Sequence, residues 1–178
     1  MNQTTAFRRL AGWSRRGRYV FTRADLAKIF YEDSSRALKA GLDRLVAKGI
    51  LERPVRGVYV FALAGHGSAE TLEHVAKALR RGDYNYVSLE SALSEYGAIS
   101  QIPLDRLTVM TTGRKGEYQT PYGTIEFTHT KRQAPQVVAR MVNVERPLRL
   151  ATRQAAWSDL KRVGRNTHLV DEAEVSRG

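Results

Sequence analysis

The sequence predicts an α+β fold: an N-terminal winged helix-turn-helix followed by a small mixed α/β domain. Three observations carry this reading. The stretch Phe21 to Phe61 strings together a helical pattern, a polar turn, a second helical pattern and a basic hairpin. Positive charge gathers at that end, with 13 Lys and Arg against 5 Asp and Glu in residues 1–65, and 16 against 13 in residues 66–178. Two glycines close together in Ala64-Gly65-His66-Gly67-Ser68 then mark a boundary, because paired glycines interrupt any regular element. The expected domains are therefore 1–65, binding DNA, and 66–178.

Taken in order, residues 4–16 read as a helix with Phe7, Leu10, Ala11 and Trp13 apolar and Arg8, Arg9, Arg15 and Arg16 mostly outside. Gly17 ends it, and Tyr19-Val20-Phe21 suits a small strand that pairs with the hairpin. Thr22 caps a short helix bearing Leu26, Ile29 and Phe30. Tyr31-Glu32-Asp33 is the turn. The next helix spans residues 34–48, where Leu38, Leu42, Leu45 and Val46 build one apolar stripe. Gly49 is a left-handed stop. Two extended runs, 50–53 and 57–61, enclose Pro54-Val55-Arg56.

In this layout the second helix reads the major groove. With its leucines inward, Arg36, Lys39, Ala40 and Asp43 share the opposite face. Ser34, Ser35 and Arg36 occupy the first turn, which enters the groove. An arginine fork matches two acceptors on a guanine edge. Arg44 belongs to the same helix, and Arg53 and Arg56 flank the hairpin tip, where a wing meets phosphates. The DNA-binding set is thus Ser34, Ser35, Arg36, Lys39, Arg44, Arg53 and Arg56.

Beyond the boundary, Ser68 caps a helix of residues 69–81 with Arg80 and Arg81 at its C-terminal end, where the helix dipole favours cations. Ser88 caps another, residues 89–96, closed by Gly97. Pro103 marks the loop that follows. Residues 107–111 are β-rich, 112–117 and 119–123 read as turns, and 124–129 alternate like a half-buried strand. Residues 136–144 are either a strand or an irregular crossing segment. Thr152 caps a last helix, residues 153–163, and the tail after Asn166 is polar and expected to fray.

The 178 residues suffice for one medium or two small domains. Hydrophobic content of 42% and charged content of 26% are those of an ordinary globular protein. A net charge of +11 and a pI of about 10.3 point to a polyanionic partner. With no cysteine, disulfides, thiolate metal sites and a Cys nucleophile are excluded. No apolar run approaches the ~20 residues of a membrane span, and the polar N-terminus lacks a signal-peptide core, so a cytoplasmic protein without a membrane partner is expected.

His66, His74, His129 and His168 have no metal-ligand spacing, and GxSxG, HExxH and GxGxxG are absent. Gly113-Arg114-Lys115-Gly116 has the composition of a phosphate loop but not the Walker order, and reads as a hairpin tip. No cofactor, metal or catalytic residue is expected; the chain reads as a binder rather than an enzyme. In the second domain the candidate surface is the basic hairpin Arg114-Lys115 with Arg80 and Arg81 at a helix end, read either as solvated charge or as an electropositive surface that meets RNA, a nucleotide or an acidic protein.

YNYVSLESALSEYGAIS (residues 84–100), LDRLTVMTTGRKGEYQTPYGTIEFTHT (104–130), RLATRQAAWSDLKR (149–162) and the wing closing on RGVYVF together resemble the AbiEi family of bacterial antitoxins. The resemblance spans about 160 residues. It implies an N-terminal domain that binds operator DNA and represses its own operon. It also implies a C-terminal domain that counteracts a nucleotidyltransferase-like toxin encoded beside it, in many members without a stable complex. The late helix opens Ala151-Thr152-Arg153-Gln154 where the family more usually has an acidic Pro-Glu pair, and the longer C-terminal region of larger members is missing. A stand-alone winged-helix regulator without a toxin is the alternative.

Overall fold

Side-chain caps set the helix boundaries of the N-terminal half. The computed structural model describes residues 1–100 and 105–177, so the loop expected at Pro103 lies outside the described residues. Two units emerge, 1–71 and 72–178, and the division falls inside one helix.

In the first unit, Asn2 caps α1 (Gln3–Ser14) by accepting from Thr4 N at 2.9 Å. Thr22 closes a capping box on α2 (Arg23–Ile29): its hydroxyl accepts from Asp25 N while Asp25 accepts from Thr22 N. Such reciprocal caps satisfy two backbone donors that the first turn leaves open. Ser34 caps α3 (Ser35–Ala47) through Ala37 N at 3.2 Å. Strands β1 (Val20–Thr22), β2 (Leu51–Val55) and β3 (Val58–Phe61) form an antiparallel sheet in the order β1-β3-β2. The β1 pairing ties the chain before the helix-turn-helix to the wing. The wing tip is Arg56-Gly57, one step beyond the expected Pro54-Val55, because β2 continues through Val55. Gly57, at φ 84°, supplies the left-handed conformation the turn needs. Leu10, Phe21, Leu26, Leu38, Leu42, Leu45 and Leu51 are almost fully buried, and each such side chain is worth about 1.5–3 kcal/mol relative to exposure.

The second unit is built on a six-stranded mixed sheet. Its elements are α4 (Ser68–Leu79, shared with the first unit), β4 (Asn85–Val87), α5 (Leu89–Glu95), β5 (Arg106–Thr111), β6 (Gly116–Thr120) and β7 (Gly123–His129). They continue with α6 (Ala134–Val138), β8 (Met141–Val142), β9 (Arg149–Ala151), α7 (Arg153–Val163) and α8 (Glu172–Val175). Strand order is β6-β7-β5-β4-β9-β8, with β5 parallel to β7 and β4 parallel to β9. Two expectations change here. Residues 116–120, read as part of two turns, are a strand paired with β7. The tail does not fray: Ile99 bridges Val170, and Val175 is buried. Gly123, at φ 131°, stands where a β-carbon would lie 2.4 Å from Asp105 O.

Buried acids organise this unit. Asp159 is fully buried and accepts from Arg132 Nη1 and Arg140 Nη2, both at 2.8 Å. Its other oxygen accepts from Ser88 Oγ at 2.9 Å and Tyr86 OH at 3.2 Å. Ser88 therefore does not cap α5 with its side chain, as the sequence suggested; its hydroxyl is taken by Asp159. Glu90 accepts from Arg165 and Asn166, and Arg146 joins Glu73 to Glu95. Burial opposes ionisation of Glu90, but the hydrogen bonds from Arg165, the backbone and Asn166, with the Arg165 charge, together outweigh it and hold the carboxyl below its ordinary range.

Burial first, and the Asp159 charge second, push the Tyr86 phenol up to about 12 from 10.0. An unfolded tyrosine loses its proton near 10, so the stability this phenol confers is complete below that pH. It disappears as pH rises toward the folded value. Melting temperatures measured from pH 9 to 12 are expected to fall less steeply for Tyr86→Phe than for the wild type. Parallel curves would rule out this residue as a source of alkaline sensitivity.

Candidate nucleic-acid interface

The leucine stripe of α3 decides what the helix shows to solvent. Leu38, Leu42 and Leu45 are 1–3% exposed, which leaves Arg36, Lys39, Ala40 and Asp43 exposed on the opposite side. Ser34 and Ser35 are exposed at its start, with the Ser34 hydroxyl committed to the cap. Lys39 Nζ donates to Asp43 Oδ2 at 2.9 Å, one helical turn on. That hydrogen bond is the largest influence holding the Asp43 carboxyl below its ordinary range, and the charge of Arg53 adds to it. Asp43 is thus an ionised acid set among the cations of this exposed face.

Arg53 lies within β2 and Arg56 at the wing tip, both exposed. Arg44 is exposed too, but on the flank of α3. It lines a depression of about 50 Å³ with Met1, Gln3, Gly41, Leu45 and Lys48, about 80° around the helix from Arg36 at 100° per residue.

Arg23 was not singled out in the sequence, yet it joins the parts of this face. Its backbone N–H donates to Gly57 O in the wing turn at 3.0 Å, and its Nη2 donates to Ser35 Oγ at 3.1 Å. Its position just after a helix cap was the available signal; its neighbours, 12 and 34 residues away, gave none. Two other cations of the unit are drawn into structure. Arg9 grips Glu32 with both amino groups at 2.6 and 2.9 Å and also donates to Ile29 O. Arg18 pairs with Asp25 at 2.6 Å and lies over the Trp13 and Phe21 rings. Tyr31 stands 77% exposed in the turn before α3.

In the second unit the four expected surface cations separate. Arg80 is buried at 6% exposure, a correction to its expected place on an exposed basic surface. Its guanidinium lies 4.3 Å from the Phe127 ring centroid and 5.2 Å from that of Tyr118. It also donates from Nε to Arg114 O at 2.8 Å and from Nη2 to Tyr118 OH at 3.1 Å. Arg80 is therefore a strut beneath the 112–115 turn. Arg81, Arg114 and Lys115 are exposed. Among the described residues no group of His, Cys, Asp and Glu side chains could hold a metal ion, and no helix is long and apolar enough to cross a membrane.

Residues 8–62, from α1 through the wing, match a family described as "Transcriptional regulator, AbiEi antitoxin". That match supports a DNA-binding regulator role for the N-terminal region. The crystal structure of the RV2827C protein from Mycobacterium tuberculosis is similar in fold, with a TM-score of 0.51 and 17% identity over 99% of this chain and 71% of that one. A comparison with curated proteins finds no match.

Proposed function

We propose, from the match of residues 8–62 to AbiEi-type regulators, that the chain binds operator duplex DNA, represses its own operon and counteracts a nucleotidyltransferase-like toxin encoded beside it. The observation that carries the DNA-binding part is the continuity of one exposed basic face. Arg36 and Lys39 on α3, Arg53 and Arg56 on the wing, and Arg23 bonded to both elements belong to a single three-helix and three-strand unit. Arg36 near the helix start contacts base edges, while Lys39, Arg53 and Arg56 contact phosphates. Arg44 joins them from the flank.

Phosphate contacts release counterions, so affinity falls as salt rises. Replacing Arg53 and Arg56 together by Ala is expected to weaken binding about equally on all sequences and to reduce the slope of log affinity against log salt by roughly one to two units. Fluorescence anisotropy on the chain's own upstream region, at several salt concentrations, measures this. An unchanged slope places the wing off the DNA. The toxin arm is read by growth: co-expression with the adjacent open reading frame should restore growth that this frame alone arrests. If the neighbouring frame is harmless, the chain is a stand-alone regulator.

A further inference from the structure

One end of the second unit's sheet gathers cations and an aromatic ring from three separate segments. Thr111 at the end of β5 pairs with His129 at the end of β7 and with Asn85 at the start of β4. The residues just beyond these strand ends, 81–84, 112–115 and 130–131, therefore lie together. Arg81, Arg114, Lys115 and Lys131 are exposed there, and so is Tyr84 at 44%. Asp83 is the acid among them, tucked so close that a β-carbon on Gly113 would lie 2.2 Å from its Oδ2.

The backbone of this end is held rigidly. Arg80 Nε donates to Arg114 O, and His129 Nδ1 lies 2.7 Å from Gly113 O, which fixes Nδ1 as the protonated nitrogen. Gly113 N donates to Thr111 Oγ1 at 3.0 Å. Thr112 N donates to Tyr84 O, and Tyr84 N donates to Thr112 Oγ1, both at 3.0 Å. The cations and the tyrosine are thus presented on a preorganised frame, which lowers the entropy lost on binding.

We propose that this sheet end binds single-stranded nucleic acid. Arg114, Lys115 and Lys131 take backbone phosphates, and the exposed face of Tyr84 stacks on an unpaired base. Cations alone would equally suit an acidic protein. The aromatic face set among them favours a strand whose bases are free to stack, since every base offers a π-face and phosphates recur beside it. A duplex keeps its bases stacked inside and gives Tyr84 nothing to meet.

The test uses the full chain, a labelled 12-nucleotide oligouridine RNA and an oligothymidine DNA of the same length, with excess unlabelled duplex DNA to occupy the α3 face. Arg114→Glu with Lys115→Glu is expected to weaken binding of the single strand more than tenfold at low salt. Tyr84→Ala is expected to weaken it about fivefold to a hundredfold. Arg36→Ala should leave it unchanged. Tighter binding of the RNA arm would assign RNA as the ligand, and equal binding any single strand; both support the site. The proposal fails if the wild type does not bind, if Arg36→Ala abolishes binding, or if the double reversal has no effect. It also fails if the reversal acts while Tyr84→Ala does not, the pattern of an acidic protein site. Melting temperatures accompany each variant, and Lys131→Glu replaces the double reversal if that variant unfolds.

Discussion

Asp159→Ala is expected to destabilise the second unit by about 3–5 kcal/mol, the range for removing one partner from a buried ion pair. The reason is the direction of every bond around the carboxylate. Four groups donate to its two oxygens: the Arg132 and Arg140 guanidiniums, the Ser88 hydroxyl and the Tyr86 phenol. Deleting the acid leaves two positive charges facing each other with only neutral acceptors, the Thr130 hydroxyl for Arg132 and the Ala155 carbonyl for Arg140. Both arginine side chains keep about a fifth of their exposure, so water can reach them, which favours the lower part of the range. Asp159→Asn tests the charge separately: it nearly preserves volume but turns one acceptor into a donor among donors, so it should also destabilise, by less than the alanine. Urea unfolding of the full chain measures both. A loss below about 1 kcal/mol for the alanine variant would show that the cluster is incidental to stability.

Arg36→Ala should cost roughly 1–3 kcal/mol of affinity on the operator and distinctly less on random DNA. The side chain is exposed in the first turn of α3 beside Ser35, on the face opposite the buried leucines. It adds little to the fold, so its loss should appear in binding and not in melting temperature. Asp43 gives an internal comparison. Its carboxylate repels phosphates and occupies Lys39, so Asp43→Asn should strengthen binding to random DNA while the Arg36 variant weakens binding to the operator. Equal losses on operator and random duplex for Arg36→Ala would make it a phosphate contact without a part in sequence reading.

The helix-turn-helix and its hairpin were legible because their signals are local. The spacing of Leu38, Leu42 and Leu45 declared which side of α3 is inside, and Thr22 sits at a cap where the neighbouring pattern starts, as Thr152 does in the second unit. What escaped depends on distant partners or on very short elements. β8 and β9 span two and three residues, too few to show a period of two. β6 carries Gly, Gln and Thr, which read as turn residues, and it becomes a strand only through its pairing with β7. Ser88 looked like a helix cap because nothing nearby revealed that an acid 71 residues later takes its hydroxyl. Arg80 looked exposed because a charged residue at a helix end usually is; two aromatic rings from β6 and β7 enclose it instead.

The order β6-β7-β5 also dictates a sequence of events during folding. Strands β5 and β6 follow each other in the chain yet never touch as neighbours, because β7 lies between them. They cannot close first as a simple hairpin; the later strand must slot into a gap that its predecessors leave open. Until it does, the His129 hydrogen bond to Gly113 is missing, and so is the Phe127 ring against which the Arg80 strut lies. Non-local pairings of this kind slow assembly relative to hairpin closure. The sheet end carrying Tyr84 and Lys115 should therefore acquire hydrogen-exchange protection late in refolding, and a nascent chain halted before residue 129 would lack it altogether.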